Sequence, residues 1–456
     1  MANKKIRMTT WSNRPAFLLA TVGGAVGLGN LWRFPYIAGE NGGGGFVLIY
    51  LAFVFLLCLP ILSSELLIGR KCHKSHLNSM RELVSSHDAN SLWKSIGWMS
   101  VLLPFVGFSY YVVVCAWSID YLYLALMNSF HAVDGSSSAQ LFNERTSHSS
   151  LQILLSGLFI SMTVWVIAQG VNNGIARVSK ILMPLLFLLI IILVIYGMIQ
   201  GEFLKAVEFL FKPDFSKING QSILMALGQA LFSLAIGTGM IMTYGAYMPN
   251  HYSIKESAAI VCIGDTLIAL LAGLAIFPIV FANNLNPGEG PSLIFITLPI
   301  AFGNMSGGHL IGIVFFVLLI FAAYTTTMGM LEPIVAWLEE KYPGKRKLLS
   351  IISGFTIWLF ALGSVLSFST MADIKPLAFI NIDRNFFGII DFTVANLLLP
   401  INALLIAAFS GWVIKNSVVE EQFSQDTSNW RIYWRFINRY VAPVAIFIVM
   451  LDLVTQ

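Results

Sequence analysis

Several apolar runs in this chain exceed the ~18 residues that mark a membrane span. No other feature constrains the fold as much, because hydrocarbon offers no partner to a free backbone amide or carbonyl. The composition agrees. Of 456 residues, 57% are hydrophobic and 11% charged, where a soluble domain carries about 25% charged residues. The net charge of +4 is too small and too scattered for a nucleic-acid surface, so no nucleic-acid partner is expected. Four cysteines give no disulfide framework: Cys58, Cys115 and Cys262 lie within apolar runs and Cys72 in a basic loop. The basic N-terminus leads into an apolar run with no small-residue cleavage site behind it, which reads as a retained first helix.

Taken at helical length, the runs give eleven spans, at 14–38, 44–69, 95–128, 150–170, 175–199, 222–249, 256–283, 309–340, 347–370, 387–414 and 434–454. With the N-terminus cytoplasmic, about 20 of the 27 Lys and Arg fall in cytoplasmic loops or adjoining helix ends. "KKIR" at 4–7, "GRKCHK" at 69–74 and "GKRK" at 344–347 are among them. Eleven crossings then leave Gln456 outside. The expected class is an all-α, multi-pass integral protein of the cell (inner) membrane, with the lipid bilayer as its surroundings and one domain over 1–456. Two external segments read as structured: 129–149, which is polar and Ser-rich, and 284–308. The second holds "GPSLIFITLPIAF", too short to cross and interrupted by Pro299, as in a re-entrant or surface hairpin.

The first span contains "GGAVGLGNLWRF" at 23–34, with four glycines that each weaken a helix by about 1 kcal/mol relative to alanine. "AVGLGN" at 25–30 recurs as "AIGTGM" at 235–240, five spans later. An odd separation makes the two helices cross in opposite directions. Glycine-interrupted spans at corresponding positions of two halves point to inverted repeats with a binding site at the breaks. Close packing through small residues is the alternative reading. A break frees carbonyls, which suit a small hard cation, and half-helix N-termini, which favour a carboxylate. An amino acid bound together with a cation meets both.

Two further features stand out. Asp265 lies in "VCIGDTLIALLAGL", where a charge costs about 3 kcal/mol on the insertion scale. "FAAYTTT" at 321–327 puts three threonine hydroxyls in another span, and ordinary back-bonding within the helix is one reading of them. No nucleophile–base pair marks an enzyme.

"GGAVGLGNLWRFPYIAGENGGGGF", "GQALFSLAIGTG", "FAAYTTT" and "GPSLIFITLP" resemble the sodium-coupled neurotransmitter symporter family, in its bacterial amino-acid branch. The resemblance covers nearly the whole chain. It implies two inverted five-helix repeats with broken helices 1 and 6, over 14–199 and 222–414, and an additional C-terminal helix at 434–454. Half-helix ends that face a substrate carboxylate are characteristic of this fold. The implied function is sodium-coupled uptake of an amino acid by alternating access. A sodium-dependent sensor that binds without sustained transport is the alternative.

Position by position, the resemblance implies two sodium ions. The first would be held by the Ala25 carbonyl, Asn30, Ser233 and Asp265 with the substrate carboxylate. The second would be held by the carbonyls of Gly23, Val26 and Ala322 with the hydroxyls of Thr325 and Thr326. Chloride-dependent relatives have Asn at the Asp265 position and hold chloride at positions matching Tyr50, Gln229, Ser233 and Ala269, the last a serine in them. Asp265 is therefore expected to replace chloride, its attraction to sodium at 4 Å being about 4 kcal/mol at an effective dielectric of 20. Returning protonated after sodium leaves, it would add proton antiport. A hydrogen-bonded Asp that never titrates is the alternative.

Amine-transporting relatives carry an Asp where this chain has Gly27. The implied substrate site comprises Ala25, Gly27, Leu28, Gly29, Gly107, Tyr111, Phe232, Ser233, Ala235, Thr238, Thr326 and Met330. Gly107 and Thr238 stand where the leucine transporter has bulkier residues, so a larger neutral substrate is expected, aromatic or broadly hydrophobic. The implied outer gate is Arg33 with Asp391, bridged by water above Tyr111 and Phe232. The inner gate is Trp11, Tyr247 and Glu340, with Arg7 adjacent to Met8, where the family has Arg. "GIARVSKILMP" at 174–184 resembles the unwinding element of helix 5, and Glu65 would support the broken part of helix 6 or anchor a helix end.

Overall fold

The computed structural model describes residues 9–287, 293–376 and 384–455. Its regular elements there are all helical. By length and composition, nine described helices can cross a membrane: Gly44–Cys72, Ser91–Leu126, Ser149–Ala168, Val171–Gln200, Ile254–Ala282, Gly308–Lys341, Arg346–Leu366, Phe386–Val413 and Ser428–Leu451. Each matches one of the eleven spans read from sequence. The eleventh starts earlier than its apolar run, at Ser428, where the Thr427 side chain accepts from the Trp430 amide and Trp430 and Trp434 are buried.

The other two spans are broken. Arg14–Ala25 starts on an Asn13 side chain that accepts from the Ala16 amide at 2.9 Å, a standard way to satisfy a first-turn donor. It ends where Val26 turns extended, with ψ at 112°, and resumes at Gly29–Glu40 bent by 50°. The sixth span is Gly220–Ser233 followed by Met240–Ala246. Between them Ala235, Gly237 and Gly239 take positive φ values of 50°, 85° and 81°. Gly237 is required twice over. Its left-handed φ disfavours a side chain, and a Cβ there would lie 2.9 Å from the Leu399 carbonyl of the tenth span.

Burial separates inner from outer helices. In the most apolar window of Ser91–Leu126, 72% of residues are buried, against 28% in Val171–Gln200. The first span packs against Ile254–Ala282, Gly308–Lys341 and Val171–Gln200, and Met240–Ala246 packs against the second span. The fifth span is helical throughout "GIARVSKILMP", with a π-turn at Val171–Ala176 leading into Arg177–Gln200 through Pro184, so the expected unwinding element is wound in this conformation.

The two segments expected to be structured, 129–149 and 284–308, hold helices where they are described. Gly135–Ser147 is a helix capped by Asp134, and its Arg145 pairs with the buried Asp120. Leu293–Thr297 and Leu298–Asn304 make one short helical piece whose Phe295 and Leu298 are buried. The start of that segment lies outside the described residues.

Candidate functional site

The two breaks face a common cavity. Ala25, Gly27, Leu28 and Gly29 line it from the first span, Gly107 and Tyr111 from the third, Phe232, Ser233, Ala235 and Thr238 from the sixth, and Thr326 and Met330 from the eighth. All twelve residues singled out for a substrate site thus meet in one place. Leu103, Pro104, Tyr110, Val394 and Leu399 join them and were not anticipated. Leu103, Pro104 and Tyr110 lie three or four residues from Gly107, the spacing that shares a helix face, so that signal was present in the sequence.

The break in the first span leaves amides that side chains now satisfy. The Gly27 amide donates to Asn30 Oδ1 at 3.0 Å and the Leu28 amide to the Tyr111 hydroxyl at 3.1 Å. Space beside them is limited. A Cβ on Gly27 would lie 2.4 Å from Thr326 Oγ1 and 2.8 Å from Tyr111 Oη.

Three of the residues assigned to the first sodium form one buried cluster. Asn30 Nδ2 donates to Ser233 Oγ at 3.0 Å, to the Asp265 carbonyl at 3.0 Å and to Asp265 Oδ1 at 2.8 Å. Ser233 Oγ donates to Asp265 Oδ2 at 2.6 Å. Ala25 ends the half-helix beside them. Gln229 donates to the Gly29 carbonyl at 2.9 Å, and Tyr50 and Ala269 are fully buried. The amide orientation of Asn30 follows from this hydrogen-bond network.

The residues assigned to the second sodium stitch the first span to the eighth. Thr326 Oγ1 donates to the Val26 carbonyl at 3.1 Å and lies 3.2 Å from the Ala322 carbonyl. Thr325 Oγ1 donates to the Ala322 carbonyl at 3.0 Å. Gly23 is against Thr325: a Cβ there would sit 3.4 Å from the threonine Cβ. Back-bonding within the helix is therefore real, but Thr326 also reaches a carbonyl that the break has freed.

Above the cavity, Arg33 does not pair directly with Asp391 among the described residues. Its guanidinium stacks 4.3 Å from the centre of the Phe232 ring. Below it, the Trp11 amide donates to the Tyr247 carbonyl and its indole to the Tyr244 carbonyl, both at 3.0 Å. The Tyr247 hydroxyl donates to Glu332 Oε1 at 2.7 Å. Arg346 pairs with that same Glu332, with Glu339 and with the Ile167 carbonyl.

This differs from the expected inner gate. Glu340 does not meet Tyr247; its carboxylate accepts the Ser75 amide at 2.9 Å. Residues 332 and 339 are seven apart and share a face, whereas 340 is turned about 100° further round the helix. Arg7 and Met8 lie outside the described residues.

The sixth-span break is held from both sides. Glu65 Oε1 accepts the Gly237 amide at 2.7 Å, and Asn402 Nδ2 donates to the Gly237 carbonyl at 2.5 Å and to Ser100 Oγ at 3.2 Å. Glu65 was anticipated; Asn402, which is 165 residues from Gly237, was not.

Comparison with known proteins agrees with this geometry. The chain is 36% identical over 447 residues to an uncharacterized sodium-dependent transporter, YhdH, of Bacillus subtilis, covering 97% of each. It is 31% identical over 459 residues to an uncharacterized sodium-dependent transporter of Haemophilus influenzae, covering 99% of each. The crystal structure of MhsT in complex with L-phenylalanine superposes with a TM-score of 0.88 at 36% identity, covering 97% of this chain and 99% of that one. The model of the sodium:neurotransmitter symporter family matches residues 8–137 and 144–456. With its two broken helices and the cavity between them, this chain belongs to the sodium:neurotransmitter symporter family, whose members are transporters rather than enzymes.

Proposed function

We propose that the protein carries a neutral, hydrophobic L-amino acid, large or aromatic, into the cell together with two sodium ions. The observation that carries this reading is the cavity at the paired breaks, where freed amides of Gly27 and Leu28 and a mostly apolar wall occur together. A substrate carboxylate would exchange for Asn30 and Tyr111 at those amides, and its side chain would lie among Gly107, Phe232 and Met330. Occupancy of MhsT by L-phenylalanine supports the size class.

In this reading Asn30, Ser233, Asp265 and the Ala25 carbonyl hold the first ion. Thr325, Thr326 and the carbonyls of Gly23, Val26 and Ala322 hold the second. Asp265 supplies the negative charge that chloride supplies elsewhere, and its protonated return adds proton antiport. Residues 14–199 and 222–414 are the inverted repeats, 434–454 is the added helix, and the N-terminus is cytoplasmic. Two sodium ions crossing 100 mV release about 4.6 kcal/mol, enough for steep accumulation of a zwitterion.

The test is uptake of radiolabelled phenylalanine, tryptophan and leucine into proteoliposomes with an inward sodium gradient and no chloride. Accumulation that collapses with the gradient is expected. Sodium-dependent binding without accumulation would replace transport with sensing, and no binding of the three would overturn the pocket assignment.

A further inference from the structure

The tenth and eleventh spans cross near the ends that adjoin Lys415, and both helices carry a π-turn there, Phe409–Val413 and Ile437–Val441. Such turns disturb the backbone ladder and recur at functional positions. The helices meet backbone to backbone: a Cβ on Gly411 would lie 2.6 Å from the Arg439 Cα. Backbone acceptors are satisfied crosswise. The Trp412 indole donates to the Arg439 carbonyl at 2.9 Å. Arg435 donates to the carbonyls of Gly411 and Ile414 at 3.2 and 3.0 Å and to Asn416 Oδ1 at 2.8 Å.

Arg439 is different. Its guanidinium lies 4.3 Å from the ring centre of Trp412 and 5.8 Å from that of Tyr440, and its Nε is buried without an acceptor. Among the described residues, no carboxylate lies within ion-pair distance of Arg431, Arg435 or Arg439. The three arginines recur every fourth residue, so they follow one face of the helix. Ile432, Phe436 and Tyr440 follow the neighbouring face at 69%, 54% and 48% exposure, beside Trp412 at 55%. A cation held between rings at the edge of hydrocarbon needs an anion, and the exposed apolar side chains around it offer a bed for acyl chains rather than for a free ion.

We propose that this crossing binds the headgroup phosphate of an anionic phospholipid, in the leaflet on the side of Lys71, Lys74 and Lys415. Arg439 is the principal phosphate ligand, Arg431 adds charge at the rim, and Trp412 and Tyr440 orient the guanidinium. The same side of the molecule is fastened by Lys71 to Glu421 at 2.7 Å and by Lys415 to the Ser86 carbonyl at 3.0 Å, so the lipid would sit on a braced surface.

The experiment is native mass spectrometry of the full chain in detergent with added phosphatidylglycerol or phosphatidylcholine, alongside lipid-dependent thermal shift. The wild type is expected to retain phosphatidylglycerol about fivefold or more over phosphatidylcholine, and Arg439→Gln to lose about fivefold of that retention. Arg384→Gln, on the opposite side of the chain, serves as the charge control and should retain lipid as the wild type does. Equal retention of both lipids by the wild type, or undiminished preference in Arg439→Gln, overturns the proposal. Should Arg439→Gln not fold, Trp412→Leu carries the test: a reduced preference supports the site, and an unchanged one overturns it.

Discussion

The Asn30 carboxamide donates to the Asp265 carboxylate at 2.8 Å, joining the first break to the middle of the seventh span across 235 residues of chain. A full carboxylate beside the half-helix end makes the local charge a property of the protein. Asp265→Asn removes it, and Ala269 has no hydroxyl to help bind a replacement anion. Uptake by the wild type should be equal in chloride and gluconate. Asp265→Asn should lose at least about tenfold in gluconate, an effect smaller than the ~4 kcal/mol of the charge pair it removes. Asp265→Asn with Ala269→Ser should regain activity in chloride. Undiminished uptake by the single variant in gluconate would end this reading.

Gly27→Ala tests the tight contact with Thr326 and Tyr111. The added methyl must displace two hydroxyls from 2.4 and 2.8 Å, an overpacking cost of about 1–3 kcal/mol. Scintillation-proximity binding should show substrate affinity falling about 5- to 150-fold, with the protein still folded. Wild-type affinity would mean that the carboxylate binds elsewhere.

Thr326→Ala leaves the Val26 carbonyl without its 3.1 Å donor and would take one oxygen from the proposed second ion site. Losing such a buried partner costs about 1–3 kcal/mol. The sodium concentration for half-maximal uptake should rise accordingly, and Thr326→Ser should restore most of it. A sodium curve that stays in place for Thr326→Ala would separate this hydroxyl from sodium binding.

Glu332, rather than Glu340, should control closure on the inner side. Glu332→Gln leaves Arg346 and Tyr247 without their shared carboxylate, and breaking a buried pair costs about 3–5 kcal/mol. Cysteine labelling from the inner side should rise strongly in Glu332→Gln and change little in Glu340→Gln. The opposite ranking would return Glu340 to the inner gate expected from sequence.

The spans were legible because their length and apolarity leave few alternatives, and the breaks were legible because glycine is costly inside a helix. The cavity residues followed from motif positions once the resemblance was in hand. What sequence did not carry was the phase of one helix against another. Glu332 and Glu340 are both acidic and both near the end of the eighth span; only packing decides which one turns toward Tyr247. Asn402 was hidden for the same reason, being an ordinary polar residue until the tenth span is laid beside Gly237. The start of the eleventh span was missed because residues 428–433 are mostly polar and include Arg431, so they read as loop until Thr427 is seen to cap the helix at the Trp430 amide.

The clamp on Gly237 has a consequence for how the two breaks divide their work. Its amide and carbonyl are satisfied by Glu65 and Asn402, on two other helices, so that peptide is held by the protein itself. The donors at Gly27 and Leu28 are satisfied by Asn30 and Tyr111, side chains that a carboxylate can displace. In the proposed transport cycle, Gly237 would then stay a fixed part of the site while the Gly27 and Leu28 amides are the exchangeable positions. On that proposal, affinity would depend on how readily Asn30 and Tyr111 yield their amides, the peptide at Gly237 being already held in place.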